Sequence, residues 1–190
     1  MIGDEFATVL ERAKGGDERA FAALWRDLNP ALLRYLRLGG EPSDDVAGDT
    51  WVTVVEGLRR FNGDETAWRA WVFTMARRRA VDSGRRRTRS AAREDSWRRQ
   101  VATSAPPDPA EVVQRRLDTG AALDLVARLS PLQAEVVVLR VVAGLPVEDV
   151  ARVVGRTPGA VRVAHHRGLL RLRALLGQRG VTDRDAATLP

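Results

Sequence analysis

The residues of this sequence that could do chemistry are mostly cations, and nearly all are arginines. Arg162, His165, His166, Arg167, Arg171 and Arg173 follow one another with no acid among them. Cations at this density suit phosphate, and arginines early in a helix can reach guanine edges in a duplex major groove. A second group sets Trp68, Trp71 and Phe73 beside Arg69, Arg77, Arg78, Arg79, Arg85, Arg86 and Arg87. Aromatic faces interleaved with arginines suit single-stranded DNA, whose unstacked bases need π-faces and whose backbone needs positive charge. Each tryptophan taken alone is equally a core residue. A third group, Asp44, Asp45, Asp49 and Glu56, is acidic, and dipole capping with solubility is an equal explanation of it.

Other chemistries are excluded by what is missing. There is no cysteine, so disulfides, thiolate catalysis and cysteine-ligated zinc drop out together. His165 and His166 are the only histidines, and adjacent helical positions point about 100° apart, which does not converge on a metal. No pair of carboxylates is accompanied by a nucleophile, a glycine loop or a metal partner. The expectation is a protein that is not an enzyme and uses no cofactor or metal. With no run of about 18 apolar residues and no secretory signal at Met1–Phe6, no membrane insertion is expected, and the location is expected to be cytoplasmic.

The charge is divided along the chain. The net charge of the 190 residues is +6 and the pI about 11.1, a balance that points to a polyanionic partner. Residues 1–58 nonetheless carry a net −5, residues 59–104 a net +8 and residues 105–190 a net +3. An acidic segment followed by a strongly basic one suggests two different partners.

The elements that must position these groups all read as helices. Phe6, Val9, Leu10 and Ala13 recur at helical spacing up to Gly15-Gly16, and Asp17 is placed to cap a second helix, bent at Pro30, that ends before Gly39-Gly40. Ser43 is an N-cap for a third helix, with Asp44 and Asp45 in its first turn and Val46, Trp51, Val54, Leu58 and Phe61 down one side. Asn62-Gly63-Asp64 reads as a turn, and Thr66 as the cap of a fourth helix. Ala105-Pro106-Pro107-Asp108-Pro109 reads as an extended linker. Helix resumes near Asp118. Ser130-Pro131-Leu132-Gln133 carries an N-cap, a first-turn proline and a capping-box glutamine. A short helix Val147–Val154, a turn at Gly155 and a second helix opened by Thr157-Pro158, expected to reach about Leu176, describe a helix-turn-helix. The fold class is all-α, two small helical domains joined by a Pro-rich linker: residues 1–99, a linker at 100–117, residues 118–176 and a loose tail at 177–190.

Two stretches resemble a known family. Asp44-Asp45-Val46-Ala47-Gly48-Asp49-Thr50-Trp51, then Phe61, then Trp68 through Asp82, is similar to region 2 of the extracytoplasmic-function (group 4) sigma factors of the sigma-70 family. Leu129 through Val136, Gly144 through Ala151, Gly159 through Arg162 and His166-Arg167 are similar to their region 4. The resemblance implies that region 2 docks on core RNA polymerase, opens and reads the minus-ten element of promoter DNA, and holds its melted non-template strand. It implies that region 4 reads the duplex minus-thirty-five element, and that an anti-sigma protein often holds the factor inactive. Carried onto this sequence, the polymerase contacts are Asp44, Asp45, Asp49 and Trp51. The region 2 DNA contacts are Asn62, Trp68, Trp71, Arg77, Arg78, Arg85 and Arg86. Those of region 4 are Arg156, Thr157, Arg162, Val163, His166, Arg167 and Arg171.

Three positions depart from the family pattern. Gly48 stands where members usually have glutamine, Ser83-Gly84 is expected to break the fourth helix, and His165 takes a usually apolar position. The alternative is a helix-turn-helix regulator with a helical N-terminal domain. Such a protein would bind duplex DNA tightly alone, usually as a dimer, whereas a sigma factor opens promoters only with core polymerase.

Overall fold

The computed structural model describes residues 1–38, 43–100 and 124–186, with side chains over 1–38, 43–89 and 124–177. Among these residues the regular structure is helical. The expected linker at 100–117 and the helix start near Asp118 lie outside the described residues, apart from Gln100, which ends a helix.

The first unit holds α1 (Phe6–Lys14), α2 (Glu18–Arg37), α3 (Ser43–Leu58) and α4 (Glu65–Gln100). On α1, Phe6, Leu10 and Ala13 are buried, one turn apart each. The helix stops at Gly15-Gly16, where Gly16 takes a φ of 92° that a side chain would resist. The Asp17 carboxylate then accepts from the backbone N–H groups of Arg19 at 2.9 Å and Ala20 at 3.1 Å. Those bonds, with Arg12 beside it, hold its pKa below the usual value. On α2, Leu24, Leu28, Leu32 and Leu36 form a buried ladder at four-residue spacing. Pro30 is exposed within this continuous helix.

Two expectations about α4 are corrected. Its cap is Asp64, whose carboxylate accepts from the Ala67 N–H at 2.7 Å, and not Thr66. Nor does it break at Ser83-Gly84: it is one helix to Gln100. A helical glycine costs only about 1 kcal/mol relative to alanine, and the arginines on both sides are good helix formers.

The second unit holds α5 (Pro131–Val141), α6 (Val147–Val154) and α7 (Pro158–Ala186). Gln133 reaches back to the Ser130 N–H at 3.4 Å, as a capping box requires. The seam between α5 and α7 is close: a Cβ on Gly168 would lie 2.8 Å from Val137 Cγ2. α7 continues to Ala186, past Leu176 and through part of the tail expected to be loose. The two units touch. α6 packs on α4 and α5 on α2, and one hydrophobic core runs through both, from Phe6 and Leu24 to Leu139 and Val161.

Candidate nucleic-acid and protein interfaces

The helix-turn-helix is built as its sequence requires. On α6, Val150, Ala151, Val153 and Val154 are buried, and Gly155 closes the helix in the left-handed region at φ 66°, ψ 44°. Thr157 Oγ1 accepts from the Ala160 N–H at 3.2 Å and so caps α7. Val161, Ala164 and Gly168 turn inward. The opposite face then presents Arg162, Val163, His166, Arg167 and Arg171, all exposed, with Arg156 and Thr157 exposed at the turn. The expected reading residues of this unit therefore share one accessible surface. Arg162 donates to Glu148 Oε1 on α6 at 3.0 Å, and Arg152 pairs with Asp149.

His165 stands apart from that face. It is half-buried, and its Nε2 is fully enclosed without a hydrogen-bond partner among the described residues. Burial, then the Arg140 charge and then His166, push its pKa below the ordinary 6.5. A neutral, half-buried imidazole can fill a usually apolar position.

The second expected group is split by the fold. Asn62 is exposed in the turn before α4, and Arg78, Arg85 and Arg86 are exposed along α4. Trp68 is not a stacking platform here: it is 1% exposed and meets Phe61 edge-on, with ring centroids 5.5 Å apart. Trp71 is half-buried between Phe61 and Gly57, where a Cβ on Gly57 would come within 2.8 Å of the indole. Phe73 is fully buried against Tyr35. Arg69 is buried as well, donating to Asp27 at 2.7 Å and to the Ala143 carbonyl at 3.0 Å. Arg77 donates from Nε to Glu135 Oε1 at 2.8 Å, across to the second unit. Tyr35 donates its hydroxyl to the same oxygen at 2.8 Å. Burial, followed by that carboxylate, raises the Tyr35 pKa well above its usual value. These aromatics and two of the arginines thus hold α4 in place.

The acidic helix keeps its acids outside. Asp44, Asp45 and Asp49 are exposed on α3. Trp51 is not: its indole N–H donates to Asn29 Oδ1 at 2.9 Å, Phe21 meets it edge-on, and it is 7% exposed. In its place α3 exposes Val52 at 60% and Val55 at 53% on the same side as Asp45 and Asp49. Sequence reasoning passed over these valines, although the helical spacing Asp45, Asp49, Val52, Glu56 contains the signal. Gly48 lies in this stripe, and a Cβ there would meet nothing within 4 Å. A side chain is sterically admitted, so no packing demand explains the glycine.

Comparisons with known proteins bear on this geometry. Residues 21–90 match the family described as Sigma-70 region 2, and residues 119–172 match Sigma-70, region 4. The chain is 34% identical over 193 residues to the ECF RNA polymerase sigma factor ShbA of Streptomyces griseus, covering 94% of this chain and all of that one. It is 30% identical to the ECF RNA polymerase sigma factor SigD of Mycobacterium tuberculosis, covering 91% and 84%. Among solved structures it resembles CnrH in complex with the cytosolic domain of CnrY, with a TM-score of 0.62 and 26% identity over 92% of this chain and 99% of that one. The fold also resembles the sigma factor RpoE bound to the anti-sigma factor NepR from Bartonella quintana, at a TM-score of 0.59 and 23% identity over 82% and 97%.

Proposed function

The chain belongs to the extracytoplasmic-function sigma factors of RNA polymerase, and from that membership we propose how its surfaces divide the work of initiation. Sigma factors are non-enzymatic, and this one acts by binding. The α3 stripe of Asp44, Asp45, Asp49, Val52 and Val55 meets a basic, partly apolar surface of core polymerase. Asn62, Arg78, Arg85 and Arg86, joined by Arg77 when it is released from Glu135, hold the minus-ten element and its melted non-template strand. Arg156, Thr157, Arg162, Val163, His166, Arg167 and Arg171 engage the duplex minus-thirty-five element. Residues 1–99 form the first functional unit and 118–176 the second. The site of action is the cytoplasm, where polymerase and promoter meet, and no helix of the described residues is long and apolar enough to cross a membrane. An anti-sigma protein holding this chain, as NepR holds RpoE, fits the same reading.

The observation that carries the reading is the exposed face of α7 from Arg162 to Arg171, a stretch with no acid of its own, capped by Thr157 behind the left-handed turn at Gly155. A helix presented in this way can enter a major groove by its first turns. Transcription with core polymerase on a genomic promoter library tests it. Wild type should select a small set of promoters that core polymerase alone ignores. Arg162→Ala should weaken them by about 1–3 kcal/mol and relax the preference at one base pair. An unchanged footprint and base preference in that variant would remove Arg162 from the reading set. Replacing Asn62 should shift the preferred minus-ten base with polymerase binding intact, because a flipped base needs a shaped pocket.

A further inference from the structure

We infer that Val163 is a thymine reader: its exposed side chain packs on the 5-methyl group of one thymine in the duplex minus-thirty-five element. The inference rests on the promoter reading above and names one base that the α7 face selects.

Neither the core nor the helix asks for a valine at this place. Val163 is 50% exposed, and valine is a poorer helix former than alanine or arginine. Around α7, at about 100° per residue, the exposed side chains follow the order Arg162, His166, Val163, Arg167. One apolar group thus stands among basic ones, within the first two turns of the helix. The space beside it is open. A notch of about 380 Å³ separates these turns from the start of α5, with Leu132 and Gln133 on one side and Ala160, Val163 and Arg167 on the other. Gly159 also lines it, and a Cβ there would meet nothing within 4 Å. Gln133 is turned back on its own helix, to the Ser130 N–H at 3.4 Å.

Charge decides the occupant. The stretch from Arg162 to Arg171 carries no acid, so it draws a polyanion towards the notch. The first turns of such a helix are the part that reaches base edges. Of the groups that a duplex shows in its major groove, the thymine methyl is the apolar one, and the others are hydrogen-bond donors and acceptors. Valine has no hydrogen-bonding group, so it can select a base only through that methyl. A polar base edge set against it would lose water and gain no partner. Leu170 is as exposed, at 54%, but it lies about two turns further on, where a straight helix has left the curved groove. It serves as the control.

The test is binding of the holoenzyme to promoters recovered from the genomic library. Each thymine of the minus-thirty-five element, on both strands, is replaced in turn by deoxyuridine, which lacks only the methyl. Wild type should lose about fourfold in affinity at one position, the equivalent of burying one methyl group. At that position 5-methylcytosine should bind better than cytosine by a similar factor. Val163→Ser should bind thymine and deoxyuridine there equally. Val163→Thr, which keeps one methyl, should retain part of the ratio, and Leu170→Ala all of it. Each reading is a ratio of two DNAs on one protein, so incomplete folding of a variant moves both arms alike. Deoxyuridine tolerated at every thymine, or the full ratio retained by Val163→Ser, overturns the inference while the promoter reading stands. A Val163→Ser variant that loses polymerase affinity and keeps the wild-type ratio overturns it too, and assigns the notch to protein contact. A wild-type holoenzyme that selects no promoter would refute the promoter reading itself, and this inference with it.

Discussion

Replacing Val52 by alanine separates the two forces by which α3 can hold polymerase. Val52 is 60% exposed, about one turn beyond Asp49 and one turn before Glu56. Losing two methyl groups removes about 1.6 kcal/mol if they are wholly buried in a complex, at roughly 0.8 kcal/mol for each carbon. With three-fifths of the residue available for burial, about 1 kcal/mol remains, a loss of roughly fivefold in affinity. Apolar burial is insensitive to ionic strength over the range that screens surface charge, so the factor should be the same at about 50 and 300 mM salt. Asp45→Arg with Asp49→Arg should behave differently. Exposed pairs contribute about 0.2–1 kcal/mol each and reversal replaces attraction with repulsion, so the double variant should lose about tenfold or more at low salt. Most of that loss should vanish at high salt and lie in the association rate. The assay is binding of labelled chain to core polymerase across a salt series. Wild-type affinity for Val52→Ala at every salt would show that the valines stay solvated in the holoenzyme. A salt-independent loss in the Asp double variant would show that these acids act through folding rather than through charge.

The other predictions concern the second unit. Glu148→Gln should raise duplex DNA affinity about twofold to fivefold at low salt, since it frees Arg162 from its 3.0 Å partner and removes an acid near phosphate; a fall in affinity by fluorescence anisotropy would mean that Glu148 holds Arg162 in its reading position. His165 has a folded pKa below its ordinary 6.5, so the unfolded chain takes up the proton first, and stability is complete above pH 6.5 and lost as the pH falls through the folded value. His165→Leu should flatten that acid-side loss in thermal melts between about pH 7 and 5, and an unaltered slope would assign it elsewhere. Gly155→Ala should cost about 1–2 kcal/mol through backbone strain alone, because its Cβ would meet nothing. Gly159→Ala, equally open but helical, should leave the melting temperature unchanged or raise it.

Much of the fold could be read from periodicity and caps, because those signals are local. Asp17, the Ser130–Gln133 pair, Thr157 and Gly155 each act within a few residues of themselves, and all four sit where their types require. The errors have a different physical origin. Trp51 and Trp68 recur at helical spacing whether they face a partner or the core. The deciding fact is the neighbour, Asn29 and Phe21 for one and Phe61 for the other, and neighbours are tertiary. Asp64 and Thr66 are both competent caps two residues apart, and nothing local ranks them. Glu135 reads as an ordinary surface acid in the first turns of α5. Its two partners lie 100 and 58 positions away, on helices the sequence could not bring to it.

The division of labour within each helix follows from the same periodicity. On α3 the buried residues Val46, Ala47, Thr50, Trp51, Val54 and Leu58 take up one side, which leaves Asp45, Gly48, Asp49, Val52, Val55 and Glu56 outside. On α7 the buried Val161, Ala164 and Gly168 leave Arg162, Val163, His166 and Arg167 outside. Neither outer set is needed by the core, so polymerase affinity and promoter preference can each change at little cost in stability. A glycine in the α3 stripe is tolerated for that reason, as its open surroundings allow. α4 is built otherwise. Arg69 and Arg77 on its inner side bind the second unit, while Arg78, Arg85 and Arg86 stay outside. Substitutions on this helix should therefore be the ones that move strand binding and the packing of the second unit together, and a variant at Arg77 that altered only one of them would separate the two roles.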